Sequence, residues 1–362
     1  MRRVVAFAAV LLLVGCSDAS GGSAPGTPAP GGIEVEVVAS GFTHPWEIGF
    51  LPDGRMLVTE RPGRLALVDR GTRTQVEADL GDVVARGEGG LMGLVVHPDF
   101  ATTNRFTTCA ATASDIRLVT WELTGNRATR VVDPLRGGLP VNPSGRHSGC
   151  RLALDHDGRL LVGTGDTARA PVAQDLGSLG GKVLGLDLAT GEGGPITRGH
   201  RNVQGIAVRE DGLVLTAEHG PDVDDELNVL QPGANYGWDP SRGGSVEGYD
   251  EGVPMTDLER FPDAVPAAWS SGSPTEAICD AVFLAGERWG DLAGALAVTA
   301  LKGSKLLLFT VTAEGGVHSV SIPEQLDGAH GRLRGAALGP DQALYLTTSN
   351  GSDDKVLRVT RG

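Results

Sequence analysis

The chain has 362 residues, of which 54 are Gly and 21 are Pro, and both types interrupt helices. This composition argues against a helical bundle and favours many short strands joined by tight turns. The formal net charge of −14 argues against DNA or RNA as a partner, because phosphate binding needs a basic surface.

The N-terminus has the pattern of an export signal. Arg2 and Arg3 precede an apolar run over residues 4–14, which is too short to span a bilayer. Leu13-Val14-Gly15-Cys16 then reads as a lipobox. We expect residues 1–15 to be a lipoprotein signal peptide, with lipid on Cys16 anchoring the protein to the outer side of the cytoplasmic membrane. An ordinary secretory signal with an incidental Cys is the alternative.

The segment that follows, residues 16–32, is rich in Gly, Ser, Pro and Ala and is expected to be a flexible linker. Residues 33–362 are expected to form a single domain. Outside the cytoplasm a disulfide is permitted. Cys109 and Cys150 are the favoured pair, because both lie beside strand-like segments of the same half of the chain, and Cys279 is left over.

A hairpin pattern recurs along this domain. An apolar strand, an Asp-Gly or similar turn and a second apolar strand follow one another in four segments: residues 50–58, 154–162, 208–215 and 338–346. Asp-Gly between apolar runs is typical of a type I′ hairpin turn, which needs positive φ at both central residues. The spacing suits four-stranded blades of roughly 40–50 residues. We therefore expect an all-β fold, a β-propeller of six blades, with a long loop at about residues 239–268; a two-sheet sandwich explains the spacing less well.

Gly163-Thr164-Gly165-Asp166-Thr167-Ala168 matches a dinucleotide-binding pattern. That site also needs a helix beginning there, and Pro171 interrupts the stretch. We set this interpretation aside.

Three kinds of segment carry candidate chemistry. His147 lies among small residues in a loop and is a candidate general base, or else a solvated loop histidine. Residues 218–228 concentrate carboxylates beside Gly-Pro, which suits Ca²⁺ or an acidic exposed loop. Cations on three separate loops, at Arg201, Lys302 and residues 331–334, could meet at a propeller axis and bind carboxylates, although each alone is an ordinary surface charge.

Residues 41–361 resemble the soluble PQQ-dependent sugar dehydrogenases, the glucose/sorbosone and aldose sugar dehydrogenase family. The matching segments occur in family order: Thr59-Glu60-Arg61, Gly87-Glu88-Gly89-Gly90, His147-Ser148-Gly149, Gly163-Thr164-Gly165-Asp166, Gly199-His200-Arg201-Asn202, Glu218-His219-Gly220-Pro221, Asn235-Tyr236-Gly237-Trp238, Leu301-Lys302 and Gly331-Arg332-Leu333-Arg334. The resemblance implies a six-bladed propeller that oxidises an aldose at C1 to the lactone by hydride transfer to PQQ.

The resemblance also implies residue roles. His147 would be the general base, Asp225 the carboxylate that orients it, and Arg201 the arginine near the reacting quinone oxygen. Asn202 and Gln204 would lie beside the cofactor, and Lys302, Arg332 and Arg334 would pair with its carboxylates. The carbonyls of Gly220 and Pro221 would bind the Ca²⁺ that also binds PQQ, while Glu226 and Tyr236 match the neighbourhood of a second Ca²⁺.

The chain departs from the family pattern near the cofactor. Glu88 stands where relatives typically have Gln, and Arg146 stands where Asp is frequent. We expect an extracytoplasmic aldose dehydrogenase that uses PQQ and Ca²⁺ and passes electrons to a quinone or a redox protein. The alternatives are a non-catalytic surface propeller that binds carbohydrate or a protein, and a Ca²⁺-dependent lactonase.

Overall fold

The computed structural model describes residues 27–28, 32–245 and 248–362. Nearly all of its regular structure is β-strand. The signal peptide predicted at residues 1–15 and the lipidation site at Cys16 lie outside the described residues. Within the segment expected to be a linker, β1 (Thr27–Pro28) pairs in parallel with Ser321 and Ile322.

The strands form six four-stranded blades, which confirms the predicted fold class. The first blade contains β3 (Pro45–Phe50), β4 (Met56–Glu60), β5 (Arg64–Asp69) and β6 (Thr72–Ala78). The second contains β7 (Leu91–Val96), β8 (Arg105–Ala111), β9 (Ile116–Thr124) and β10 (Arg127–Leu139). The third contains β11 (Arg151–Leu154), β12 (Leu160–Gly163), β13 (Val183–Leu186) and β14 (Gly193–Pro195).

The fourth blade contains β15 (Val203–Val208), β16 (Val214–Glu218), β17 (Glu226–Val229) and β18 (Trp269–Ser270). The fifth contains β19 (Ile278–Phe283), β20 (Leu296–Ala300), β21 (Lys305–Val311) and β22 (Val317–Ile322), with β1 added at its edge. The sixth contains β23 (Leu333–Leu338), β24 (Leu344–Thr348) and β25 (Asp354–Arg361), and its outer strand is β2 (Ile33–Phe42).

The blades close into a ring. The inner strands β3, β7, β11, β15, β19 and β23 contact one another in this order, and β23 contacts β3 again. The sixth blade joins the two ends of the domain, because β2 pairs antiparallel with β25 from Ile33 opposite Arg361 to Phe42 opposite Asp354.

The four repeated hairpins are the first turns of the first, third, fourth and sixth blades. Their turn type differs from the prediction. Positive φ occurs at Gly54, Gly158, Gly212 and Gln342, whereas the Asp before each of them keeps negative φ. At the first turn, Asp53 Oδ1 instead accepts a hydrogen bond from the backbone N–H of Arg55 at 3.1 Å. A side chain that folds back in this way stabilises a turn with one left-handed residue.

Apolar packing lies mainly between neighbouring blades. One buried cluster, for example, joins the second and third blades through Met92, Leu118, Leu152 and Val162. The Cys109–Cys150 disulfide lies in this cluster and links β8 to the start of the third blade. This is the pair that the sequence favoured. Cys279 is free and buried.

Helices are short. In the described part of the chain they comprise α1 (Phe100–Thr103) and three 3-10 helices, Arg242–Gly244, Glu287–Leu292 and Glu324–Leu326. Within the described ranges, no helix has the length and apolar character needed to cross a bilayer. The long loop expected at residues 239–268 belongs to the connection between β17 and β18. Its inner side packs Trp238, Val253 and Met255 against Ala173.

Neighbouring strands of a blade run antiparallel, so turns after the second and fourth strands share one end of the ring. We call this the upper end. The loops that carry Glu88, His147, Asp166, Arg201 and residues 219–225 all lie there. The Asp-Gly turns lie at the opposite end, so the repeat that reveals the fold is remote from the candidate site.

Candidate functional site

The candidate base is buried and held by a carboxylate. His147 lies in the loop that leads into β11, and its side chain is 4% exposed. Its Nδ1 lies 2.7 Å from Oδ1 of Asp166, which follows β12. Since an ionised carboxylate only accepts, this contact assigns the ring proton to Nδ1 and leaves a lone pair on Nε2. A neutral imidazole in this tautomer can accept a proton.

Asp166 is fixed by three further donors. Its Oδ2 accepts hydrogen bonds from Trp238 Nε1 at 2.7 Å and from the Tyr249 hydroxyl at 2.6 Å. Its Oδ1 also accepts from the backbone N–H of Ala168 at 2.8 Å. Burial and the charge of Asp166 raise the pKa of the Tyr249 phenol, which keeps this hydroxyl a donor. The fully buried carboxylate therefore has a fixed orientation toward the imidazole.

Close backbone approach explains the glycines of this region. A Cβ on Gly145 would overlap the carbonyl of Arg86, and a Cβ on Gly165 would overlap the carbonyl of His147. His147 itself has a φ of 47°, a conformation that non-glycine residues rarely adopt. The Gly-Thr-Gly-Asp segment thus makes room for the base loop and supplies its carboxylate.

The expectation that Asp225 orients His147 is wrong. Asp225 Oδ1 accepts from the backbone N–H of Gly220 at 2.9 Å and from the hydroxyl of Thr275. Its Oδ2 accepts from the backbone N–H of Glu276 at 2.7 Å. Asp225 therefore ties the Gly-Pro loop to the loop before β19, and its oxygens are occupied there.

Asp222 and Asp224 of the acidic segment also point away from the base. Asp224 accepts from the hydroxyl of Ser270 at 2.8 Å, whereas Asp222 is exposed. Among the described residues, no group of three or more His, Cys, Asp or Glu side chains is placed to hold a metal ion. A metal bound here would depend on backbone carbonyls.

Predicted cofactor residues form one hydrogen-bonded chain across the upper end. Glu88 accepts from the backbone N–H of His147 at 3.2 Å and from Asn202 Nδ2 at 2.8 Å. Gln204 donates to Asn202 Oδ1 at 3.1 Å and accepts from Arg334 at 3.3 Å. Burial opposes ionisation of Glu88, but the neighbouring imidazoles of His147 and His219 and these hydrogen bonds outweigh it and lower the pKa of its carboxyl. The departure from Gln thus places a carboxylate beside the base.

A cluster of cations lies beside these hydrogen-bonded residues. Burial and the charges of Arg334 and Arg332 lower the pKa of Arg61, and burial and Arg334 lower that of Arg332. In the part of the chain that the structure describes, none of these three arginines forms a salt bridge. Lys302 is exposed after β20 and likewise forms no ion pair with a described residue. These cations could therefore pair with an anionic ligand.

Arg201 contacts both sides of the site. Its backbone carbonyl accepts from the Asp166 N–H at 2.9 Å, and its Nη1 donates to the carbonyl of His219 at 2.9 Å. Its Nη2 pairs with Glu251 at 2.6 Å, and Glu251 also binds Arg146 at 2.9 Å.

Beneath the site, buried charges close the ring axis. The guanidinium of Arg151, on β11, lies 4.0 Å from the centre of the Trp46 ring and pairs with Asp280 at 2.9 Å and with Glu47. Arg334 approaches the same ring at 5.6 Å. The candidate site therefore has a floor and opens toward the upper end.

The sequence profile of the Glucose / Sorbosone dehydrogenase family matches residues 42–358, nearly the entire ring. The chain belongs to this family.

Relatives in the family share the whole domain. Aldose sugar dehydrogenase YliI of Escherichia coli K12 is 29% identical over 92% of this chain and 94% of its own length. The structure of the PQQ-bound form of an aldose sugar dehydrogenase from Streptomyces coelicolor is 28% identical, with a TM-score of 0.74 over 92% of this chain and 99% of that one. The apo-form of the soluble aldose sugar dehydrogenase from Escherichia coli has a TM-score of 0.78 at 26% identity, over 91% of this chain and 100% of that one.

The chemistry of this family member fits the cofactor and the metal that its sequence implies. PQQ is a tricarboxylate, and the unpaired cluster of Arg61, Arg332 and Arg334 supplies the charge that such an anion needs. The carbonyls of Gly220 and Pro221 accept no hydrogen bond from a described residue. Their oxygens are therefore available as ligands for Ca²⁺. His219 Nε2 is buried without a partner among those residues.

The residues expected at a second Ca²⁺ are also close to each other in the fold. Burial and the nearby Glu218 raise the pKa of Glu226 to about 8, and Asn228 Oδ1 is buried with no partner in the described part of the chain. A cation between these oxygens would relieve both features. Tyr236 is buried, and its hydroxyl donates to the Val229 carbonyl at 2.5 Å, so only its backbone is free to act as a ligand.

Several residues of this site were not predicted from the sequence. Asp166 and Trp238 stood in quoted motifs without a role, and Tyr249 and Glu251 lay in the long loop. The sequence did offer one indication for Asp166: it closely follows β12, in the same blade whose first strand His147 precedes.

Proposed function

We propose that this protein oxidises an aldose sugar at C1 to the lactone, with PQQ as cofactor and Ca²⁺ as its metal. The single observation that carries the proposal is the His147–Asp166 pair beside a cluster of arginines that form no ion pair with a described residue. The family and its aldose sugar dehydrogenases support the sugar and the cofactor.

The residues of the chain have distinct tasks. Nε2 of His147 accepts the proton of the C1 hydroxyl, while Asp166 stabilises the imidazolium that forms. Arg201, held by the carbonyl of His219, presents positive charge where negative charge develops on the cofactor. When bound, PQQ supplies the quinone that accepts the hydride from C1, so the sugar loses two electrons and two protons in all.

Binding the cofactor would use the groups already described. Arg61, Arg332 and Arg334 would pair with its carboxylates, joined by Lys302 from the neighbouring blade. The carbonyls of Gly220 and Pro221 would hold the Ca²⁺. Electrons would then pass from the reduced cofactor to a quinone or a redox protein.

The test is reconstitution of the protein with PQQ and Ca²⁺, followed by dye reduction with a panel of aldoses. We expect cofactor uptake measured by absorbance, aldose-dependent turnover, and loss of turnover in His147→Ala with uptake retained. Absence of uptake would refute the cofactor, and activity that survives His147→Ala would refute the base. Sugar binding that does not depend on PQQ and Ca²⁺ would favour a non-catalytic propeller.

We also propose that the protein is exported and held at the outer side of the cytoplasmic membrane by lipid on Cys16. The support is the sequence alone: the apolar run of residues 4–14 followed by Leu13-Val14-Gly15-Cys16. Detergent phase partitioning of the expressed protein tests it. Cys16→Ser should move the protein from the detergent phase to the aqueous phase, and an unchanged distribution would contradict the anchor.

A further inference from the structure

One acidic side chain joins two arginines beside the base. Oε1 of Glu251 lies 2.9 Å from Arg146 Nη2 and 2.6 Å from Arg201 Nη2. Burial opposes ionisation of Glu251, but the hydrogen bond and charge of Arg201, with Arg146, lower the pKa of this carboxyl. The three groups therefore form a charged bridge with a net charge of about one positive unit near neutral pH.

This bridge borders the reacting centre. Arg146 directly precedes His147 in the chain, and the backbone of Arg201 is hydrogen-bonded to that of Asp166. Tyr249, two residues before Glu251, donates to the same Asp166, and the Arg146 guanidinium lies 5.9 Å from the Tyr249 ring. A sugar with its C1 hydroxyl at the base must therefore lie next to the bridge.

The bridge is accessible from solvent. The side chain of Arg146 is 48% exposed and that of Glu251 is 38% exposed, whereas that of Arg201 is 5% exposed. Arginine pairs bind carboxylates well, because their planar forks match the two oxygens. Here the protein's own carboxylate takes that position.

We propose that Glu251 is a specificity-determining residue, which fills the Arg146–Arg201 pair and so selects neutral aldoses against sugars that carry a carboxylate, the uronic acids. The inference rests on the proposed function. A competing carboxylate would have to displace Glu251 from the two guanidinium groups before it could bind them, and a group that must be displaced by the wrong ligand is a general route to specificity.

The experiment compares Glu251→Gln with the wild type on glucose against glucuronic acid and on galactose against galacturonic acid. The measured quantity is the ratio of kcat/KM for the acid to that for the neutral sugar. We expect Glu251→Gln to raise this ratio roughly fivefold, the size of one partly exposed charge pair. Arg146→Gln should lower it, and the double variant should return it toward the wild-type value.

Glu259→Gln is the matched control. Glu259 is exposed in the same long loop and forms no ion pair with a described residue, so this variant makes the same change of charge without touching the bridge. We expect its ratio to equal that of the wild type. An equal rise in both variants would show a general charge effect and overturn the proposal, as would an unchanged ratio in Glu251→Gln.

A second readout does not require turnover. Thermal unfolding of the cofactor-free protein is followed against glucuronate and glucose at constant ionic strength. Glucuronate should stabilise Glu251→Gln more than the wild type, and glucose should not distinguish the two. If no aldose is oxidised, the proposed function fails, while this measurement still decides the role of Glu251. If Glu251→Gln does not fold, the half-exposed Arg146→Gln decides it: unchanged acid discrimination there refutes the proposal.

Discussion

Asp166→Asn is expected to remove most of the activity while the ring stays folded. The amide has the size of the carboxylate but replaces one oxygen by a donor. If that NH₂ group faces His147, the imidazole must offer it Nδ1 as an acceptor, and the ring proton moves to Nε2. If the amide turns round, its NH₂ group meets the donors of Trp238 and Tyr249 instead. Neither orientation satisfies all four donors that Asp166 now accepts from.

The magnitude follows from these contacts. A hydrogen bond to a charged group contributes about 1.5–3 kcal/mol, and a buried donor left without an acceptor costs about 1–3 kcal/mol. The wrong tautomer additionally removes the base. We therefore expect kcat/KM to fall about 10²- to 10⁴-fold, and the free energy of unfolding to fall by about 1–3 kcal/mol.

The assay is steady-state dye reduction by the reconstituted enzyme as a function of pH, with PQQ uptake measured separately. Asp225→Asn is the comparison, because Asp225 binds the backbone N–H groups of Gly220 and Glu276 rather than the base. It should lower Ca²⁺ affinity and thermal stability and leave the pH at which the base titrates unchanged. A loss below tenfold in Asp166→Asn, together with a shifted pH profile in Asp225→Asn, would refute this reasoning and restore Asp225 as the partner of the base.

Three further outcomes are expected. Tyr249→Phe removes one donor from the carboxylate of Asp166, which makes that carboxylate a stronger acceptor for the base. The midpoint of the acid limb of the pH profile should therefore move to higher pH by about 0.5–1 unit, and an unchanged midpoint would count against this contact. Reducing the Cys109–Cys150 disulfide, whose partners are 41 residues apart, should lower the free energy of unfolding by about 4 kcal/mol. Melts of the wild type with and without reductant measure this difference, and Cys109→Ser should melt at the temperature of the reduced wild type under both conditions. The pKa of Glu251 is lowered in the folded state, so the stability that it contributes is present above its ordinary pKa of 4.5 and is lost as pH falls through the folded value. Melting temperatures of wild type and Glu251→Gln should therefore differ at pH 7 and converge in acid; a constant difference would contradict the ion pair.

The fold was predictable because four of the six blades begin with the same hairpin. The other two blades do not show it, since α1 lies between β7 and β8 and the 3-10 helix Glu287–Leu292 lies between β19 and β20. Alternating apolar residues and Asp-Gly turns are local signals, so they identify these strands. The predicted turn type was wrong. In three of the four turns the Asp carboxylate accepts a hydrogen bond from the backbone N–H two residues later, and in the third-blade turn Asp155 does so instead; the dipeptide does not reveal these contacts.

The site was predictable in its residue types and less so in its pairings. Glu88, Asn202 and Gln204 do lie near His147, because each enters or precedes an inner strand at the upper end. The partner of the base was misassigned, because Asp225 and Asp166 follow the second strands of adjacent blades and the sequence alone does not tell which blade faces His147. Glu251 and Arg146 are about a hundred residues apart in the sequence, and no local pattern predicts a contact between them.

The outer strand of the sixth blade comes from the start of the domain and its partner from the end. The ring therefore cannot close before the last strand has been synthesised, and the early blades wait without their final neighbour. Such long-range closure slows folding. A chain that stays open until it is complete suits transport in an unfolded form. A signal such as that predicted at residues 1–15 would act in this period, before the ring closes. The pairing of β2 with β25 would then make export precede folding.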